Sequence, residues 1–463
     1  MSEGEERKIE GRWWIAGPEG PEYFGTLTSS RKTLELVINV PQNLTLGETM
    51  RQAVGDPDAV PKVIVGRTAQ NEPISLFGCS SFQYSFSAGL RTFRIDAIAG
   101  IEGLELFAWN QPAIRTVNID IEPLCIWLGG QAVAWIKDGE EKSCTLPDPT
   151  DLSFKVSDDV EFGIWCSTGI SSSQEKVCFS QRSSAWLQFD QPRSLQEVCE
   201  NWLPWVDRLF SLLIGSAVRH GLVTCHEQKY FGKNSKPLGK KGQLIRMGGK
   251  AATRAGEVSW PAMITRYSEL SAEFGEIVRR WTVVADRYEP LVDILGMAIF
   301  NRSLHAEAQF LFLLQALEVY HARCSKFDSM LVPPATHKAR VKRATASTPE
   351  DLKEWAERTL KAANNKHLDE RLSEIFNCHR SETDKIFGAD PALAEKIRYT
   401  RNHLTHHTGD DSSSKLLKGT EILEITWNLR TFIWVVLLKE IGVSGVPIDR
   451  LIGKYEARFV SLD

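Results

Sequence analysis

The hydrophobic period of this chain changes along its length, and that change limits its fold more than any other feature. Before residue 193 the apolar residues come in short, often alternating runs such as RWWIAG, TLELVINV, KVIVG, FRIDAIAG, TVNIDIEPLCIWLG and VEFGIWCS. These runs are rich in Val, Ile, Phe, Trp and Thr and are broken by Gly, Pro and Asp-Gly, the pattern of half-buried strands between turns. Lys137-Asp138-Gly139-Glu140 has the composition of a tight hairpin turn. After about residue 265 the apolar residues recur three and four apart, as along one face of a helix. The segments SELSAEFGEIVRRWTVVADRY, HAEAQFLFLLQALEVYHARC, ALAEKIRYTRNHL and KGTEILEITWNLRTFIWVVLLKEIG carry that spacing.

The expected class is therefore a multidomain α+β protein. A β-rich, sandwich or barrel-like N-terminal domain covers 1–192. A connecting helix, a strand-like hairpin and a basic loop cover 193–264, and an all-α bundle covers 265–463. Ser194 with Glu197 is a capping-box signature for the connecting helix. Pro204 is expected to kink or split that helix. Thr348-Pro349-Glu350-Asp351 reads as another helix start, with a cap residue, a proline and then acids. A length of 463 residues also calls for more than one core.

Composition excludes several classes. Net charge is −4, so the whole chain is not a polyanion binder and nucleic-acid contact needs a local basic patch. Nine scattered cysteines without a Cys-x-x-Cys pair argue against a disulfide framework and a zinc ribbon, and fit a reducing cytoplasm. FLFLL and FIWVVLL are too short to span a bilayer, so no membrane contact is expected. Two stretches supply local positive charge. One runs from Lys229 to Arg254 and holds Lys240, Lys241 and Arg246 in an expected loop or hairpin. The other, inside an expected linker, holds His337, Lys338, Arg340, Lys342 and Arg343. Either could track an RNA backbone or be a solvated surface. Gly248-Gly249-Lys250 lacks the Ser or Thr and the upstream glycine of a P-loop. Asp120 with Glu122 lacks the surroundings of a metal-dependent nuclease core, and Cys378-His379 is poor geometry for a thiolate pair.

The segment RYTRNHLTHHTGDD, 398–411, concentrates the remaining chemistry. His403 and His407 lie four apart, on one helical face, which suits a metal. The third ligand would have to be Asp410 or Asp411, and no carboxylate stands between the two histidines to act as a base. A second reading is a polar helix end with solvated histidines. A third is a metal-independent ribonuclease, since Arg401 precedes His406 and His407 by a short interval and Asn402 follows it directly. Spacing alone decides little, because Arg219 with His226 and Arg398 with His403 fit as well.

Context adds to it. The apolar helix LQALEVYH places Glu318 and His321 one turn apart, upstream of TRNHLTHH. The pairing of ALE-x-x-H with TRN-x-L-T-H-H resembles the ApeA-like HEPN family. The β-rich region resembles, by position and class, the N-terminal domain that accompanies it. The resemblance covers nearly the whole chain. It implies a bacterial anti-phage factor of the abortive-infection type, with a metal-independent endoribonuclease that needs no cofactor and acts as a homodimer or higher homo-oligomer. The alternative within that fold is a non-catalytic RNA-binding, dimerisation or sensor protein. In the nuclease reading His406 is general base or acid and Arg401 clamps phosphate. Asn402 orients a neighbouring group, and His407 is a second acid/base or a dimer contact. Glu318 would hold Arg401 or His406 in place. RNA is the expected partner, and a phage-derived trigger would release the activity.

Overall fold

The computed structural model describes residues 6–15, 21–30, 33–42, 62–87, 89–129, 134–138, 141–145, 150–172, 177–229, 239–246, 263–300, 304–406 and 413–452. The chain divides into two compact units. The first comprises Met1–Ser211, Val218–Pro261 and Arg266–Glu269; the second comprises Leu212–Ala217, Ala262–Thr265 and Leu270–Asp463.

The first unit is a large antiparallel sheet. Its early strands are β1 (Arg7–Trp14), β2 (Glu22–Ser29), β3 (Leu34–Pro41), β4 (Val63–Thr68), β5 (Pro73–Phe77), β6 (Ser80–Ser87), β7 (Leu90–Asp96) and β8 (Ala99–Glu102). The later ones are β9 (Pro112–Asp120), β10 (Ala134–Asp138), β11 (Glu141–Thr145), β12 (Thr150–Lys155), β13 (Val160–Ser172), β14 (Val177–Ser194), β15 (Val223–His226) and β16 (Lys241–Arg246). Among the described residues fourteen of them join in the order β12-β13-β14-β9-β15-β16-β8-β5-β4-β1-β2-β3-β7-β6, and β10 pairs only with β11. In the β10–β11 hairpin Asp138 lies opposite Glu141. The expected turn residues between them, Gly139 and Glu140, lie outside the described residues.

Alternation explains the core of this unit. Leu34, Leu36, Ile38 and Val40 of β3 are buried, while the residues between them are not. Trp13 of β1, Leu27 of β2 and Phe93 of β7 join the same cluster. Gly103, just after β8, has φ +98° and a Cβ there would stand 2.3 Å from the Lys241 carbonyl oxygen. Both the backbone conformation and the space require glycine.

The basic stretch from Lys229 is a strand in part. Lys241–Arg246 forms β16 between β15 and β8. Pairing on both sides makes this segment part of the sheet rather than a loop; 230–238 and 247–262 lie outside the described residues. Ser194 caps as expected, accepting from the Glu197 N–H at 3.1 Å. A π-helical turn, Val198–Trp202, then leads into α1 (Leu203–Ile214). Pro204, which has no N–H to donate, sits where that turn gives way to regular helix.

The second unit is helical. Its main elements are α2 (Phe274–Arg287), α3 (Glu289–Phe300), α4 (Ala306–Arg323), α5 (Pro334–Thr345), α6 (Glu350–Ala362), α7 (Leu368–Cys378), α8 (Arg380–Phe387), α9 (Leu393–His406) and α10 (Thr420–Glu440). α10 is the central one. Every residue from Thr431 to Leu438 is buried, as expected for a helix covered on all sides. Its Trp434 donates to the Leu212 carbonyl at 2.8 Å. Tyr320 of α4 donates to Glu440 of α10 at 2.9 Å and meets Nε2 of His379 at 3.2 Å.

Two sequence expectations change here. The stretch expected to be a linker, DSMLVPPATHKARVKRATAS, contains α5, started by Pro334 in the first turn. Only Val341 and Thr345 of α5 are buried, so it has no apolar stripe to announce it. Thr348 does not cap α6; Pro349 occupies the cap position and makes no side-chain bond there.

Candidate functional site

A cleft of about 250 Å³ in the helical unit is lined by Glu318, Lys366, His367, Leu368, Arg371, Arg398, Arg401 and Asn402. Three helices build it. α9 is fixed by burying Leu393, Ala394, Ile397 and Thr400 along one face. Thr400 is wholly buried, donates to the Lys396 carbonyl at 2.9 Å and accepts from the Leu417 N–H at 3.0 Å. That face-fixing turns Arg401 and Asn402 to the cleft.

α7 supplies its N-terminus. Glu370 accepts from the His367 N–H at 2.6 Å, so the helix begins at the cleft wall. The His367 side chain accepts from the Glu370 N–H, and Asp369 and Glu370 in the first turn already meet part of the positive helix end. α4 contributes Glu318.

Charge in the lining is lopsided. Lys366, Arg371, Arg398 and Arg401 face one carboxylate, Glu318. The side chains have fixed supports. Arg371 donates to the Lys366 carbonyl at 3.1 Å and lies 3.7 Å from Glu318. Arg398 stands 3.2 Å from Asp369, and Arg401 donates to the Asn402 side-chain oxygen at 3.3 Å. Behind Lys366 lies Glu374. Burial pushes the Glu374 carboxyl up, but hydrogen bonds from Lys366 and His321 outweigh it and hold the group below the ordinary glutamate range. Such an array of pre-set donors in a concave, polar-lined space suits phosphate oxygens.

The residues singled out in the sequence are distributed as follows. Arg401, Asn402 and Glu318 come together in the cleft. Glu318 pairs with Arg371 of α7, not with Arg401 or His406, because Arg371 reaches it from the adjoining helix. His406 is exposed at the end of α9 and does not line the cleft. It lies four residues after Asn402, one helical turn further along the same face. His407, Asp410 and Asp411 lie outside the described residues. Lys338, Arg340, Lys342 and Arg343 are exposed on α5, away from the cleft lining. Lys240 and Lys241 are exposed in the sheet unit, with Arg246 at the end of β16. Cys378 is exposed while its neighbour His379 is buried, so the two do not form a pair.

Sequence reasoning missed Lys366, Arg371 and Arg398 as site residues. The nearest signal was HLDERLSEIF, which starts a helix with two acids and then an arginine. Nothing in it links Arg371 to Arg401, thirty positions later in the chain.

The family model described as Apea-like HEPN matches residues 311–445. The model described as ApeA N-terminal domain 1 matches residues 8–281, more than half of the chain. The chain belongs to the ApeA family of HEPN proteins. No curated protein and no solved structure matches it. Among the described residues no helix is long and apolar enough to cross a membrane.

Proposed function

We propose that the chain is a metal-independent endoribonuclease of anti-phage defence, with RNA held in the α4–α7–α9 cleft. One observation carries the reading: Arg401 and Asn402 line a cleft where four cations face a single carboxylate. RNA supplies its own nucleophile, the 2′-hydroxyl. Its oxygen attacks the adjacent phosphorus and the 5′-oxygen leaves, giving a 2′,3′-cyclic phosphate and a 5′-hydroxyl. One proton must be taken from the 2′-hydroxyl and one given to the 5′-oxygen. Imidazole does either near neutrality, and His406 is assigned that role. Arg401 neutralises the charge that builds on the phosphate, and Asn402 holds Arg401 by the bond already described. His407 is the proposed second acid/base or the contact with a second subunit.

One histidine serves poorly as both acid and base, so a homodimer that brings two Arg-His sets together is part of the proposal. Free ribonuclease harms its own cell. The β-rich unit, or an oligomeric state, is therefore assigned the task of keeping the activity off in the cytoplasm until a phage-derived trigger arrives. The exposed cations of α5, the exposed Lys240 and Lys241, and Arg246 are assigned to backbone tracking.

A second reading is RNA binding without cutting. The exposure of His406, outside the cleft lining, favours it. Protein purified from phage-infected cells, where the trigger is present, and incubated with RNA in EDTA tests the proposal. It predicts cleavage that persists in EDTA, stops on a fully 2′-deoxy strand and leaves cyclic phosphate ends. Loss of cleavage in EDTA, or 3′-hydroxyl products, contradicts it.

A further inference from the structure

Lys366, Glu374 and His321 form a chain from the interior to the cleft. His321 is 1% exposed and its ring stacks on Phe327, with centroids 4.9 Å apart. Its Nε2 lies 2.7 Å from Oε2 of Glu374. The other carboxylate oxygen, Oε1, accepts from the Lys366 ammonium. Lys366 itself lines the cleft. Nδ1 of His321 is buried without a hydrogen-bond partner among the described residues. A carboxylate only accepts, so the bonding proton sits on Nε2 and points at Glu374. Both Glu374 oxygens are thereby engaged, whereas the ammonium has three donors and spends one on Glu374.

We infer that Lys366 binds a phosphate of the RNA in this cleft, and that Glu374, fixed from behind by His321, is the positioning residue that aims it. The inference rests on the RNA reading of the cleft. A lysine stem is flexible, and a tether set before the ligand arrives lowers the ordering cost of binding. A carboxylate beside a polyanion site otherwise works against affinity, since it repels phosphate. Burying a histidine to hold that carboxylate also has a desolvation cost. Both features make sense if the direction of the ammonium matters.

The two contributions of Glu374 have opposite signs, and that makes them separable. The full-length protein is titrated with a short single-stranded 2′-O-methyl RNA, which lacks the nucleophile, over a range of salt concentrations. Lys366→Ala is expected to weaken binding about ten-fold and to lower the slope of log K against log salt by about 0.7. Lys366→Arg should recover most of both. Glu374→Gln removes a negative charge, so the field alone would tighten binding; the positioning role predicts weaker binding with the fold intact. Glu374 is more exposed than His321, so this variant tests the chain without emptying the core. Unchanged or tighter binding by Glu374→Gln overturns the inference. So does an unchanged affinity and slope in Lys366→Ala while Arg401→Ala loses affinity. A wild-type protein without RNA affinity overturns the RNA reading of the cleft and the inference with it.

Discussion

His379 should make the helical unit acid-sensitive, and the size of the effect follows from its surroundings. The ring is buried and its Nε2 faces the Tyr320 hydroxyl at 3.2 Å. That hydroxyl has one proton, which it gives to Glu440 at 2.9 Å. Nε2 must then carry the histidine proton, and Nδ1 is buried without a hydrogen-bond partner among the described residues. A second proton on Nδ1 would be an unsatisfied buried donor with charge. Burial, aided by Lys439 and Lys326 and opposed by Glu382 and Glu440, lowers the His379 pKa to about 4. The unfolded chain takes up this proton near pH 6.5, so stability is full above that value and falls as pH drops towards about 4. From about pH 7 to about pH 4.5 the loss from this group is about 2–3 kcal/mol. His379→Gln keeps a donor for the Tyr320 oxygen and does not titrate. Urea unfolding of both proteins at the two pH values cancels the contributions that they share. The variant should lose about 2–3 kcal/mol less on acidification. Parallel losses in the two proteins would refute the reasoning.

Other expectations concern the cleft and the sheet. Arg401→Ala should weaken binding of 2′-O-methyl RNA about 10–100-fold, the value of one charge-assisted phosphate contact, with Arg401→Lys recovering part of it; anisotropy titration checks this. Joint replacement of the exposed Lys338 and Arg343 by alanine should reduce RNA affinity evenly across sequences and flatten its salt dependence, while the cleavage rate at saturating RNA stays the same. Gly103→Ala should cost about 2–3 kcal/mol, from a positive φ and a contact with the Lys241 carbonyl; a thermal melt within a degree of wild type would contradict that.

The division into a β-rich and a helical region was legible because two periods, near two and near 3.6 residues, need no partner to be read. Individual strands such as Leu34–Pro41 follow directly from alternation. The order in which fourteen strands join does not, since alternation says which face is buried but not which neighbour lies alongside. α5 escaped notice because only Val341 and Thr345 of its twelve residues are buried, leaving no apolar stripe. The site was half legible. Arg401 and Asn402 stand next to one another, and Glu318 shares a helix with the buried Leu317 and His321. Lys366 and Arg371 come to the cleft only through the packing of α7 against α4 and α9. Glu374 and His321 meet because a buried imidazole needed an acceptor, which no spacing in the sequence records.

The central claim is that this cleft cuts RNA by acid–base catalysis rather than only holding it. The direct measurement is cleavage of a labelled RNA by His406→Ala and wild type, both purified from phage-infected cells, beside their binding of the 2′-O-methyl analogue. The account predicts that cleavage falls at least about 100-fold while binding stays within a few-fold of wild type. A folded His406→Ala protein that cleaves at the wild-type rate would contradict it.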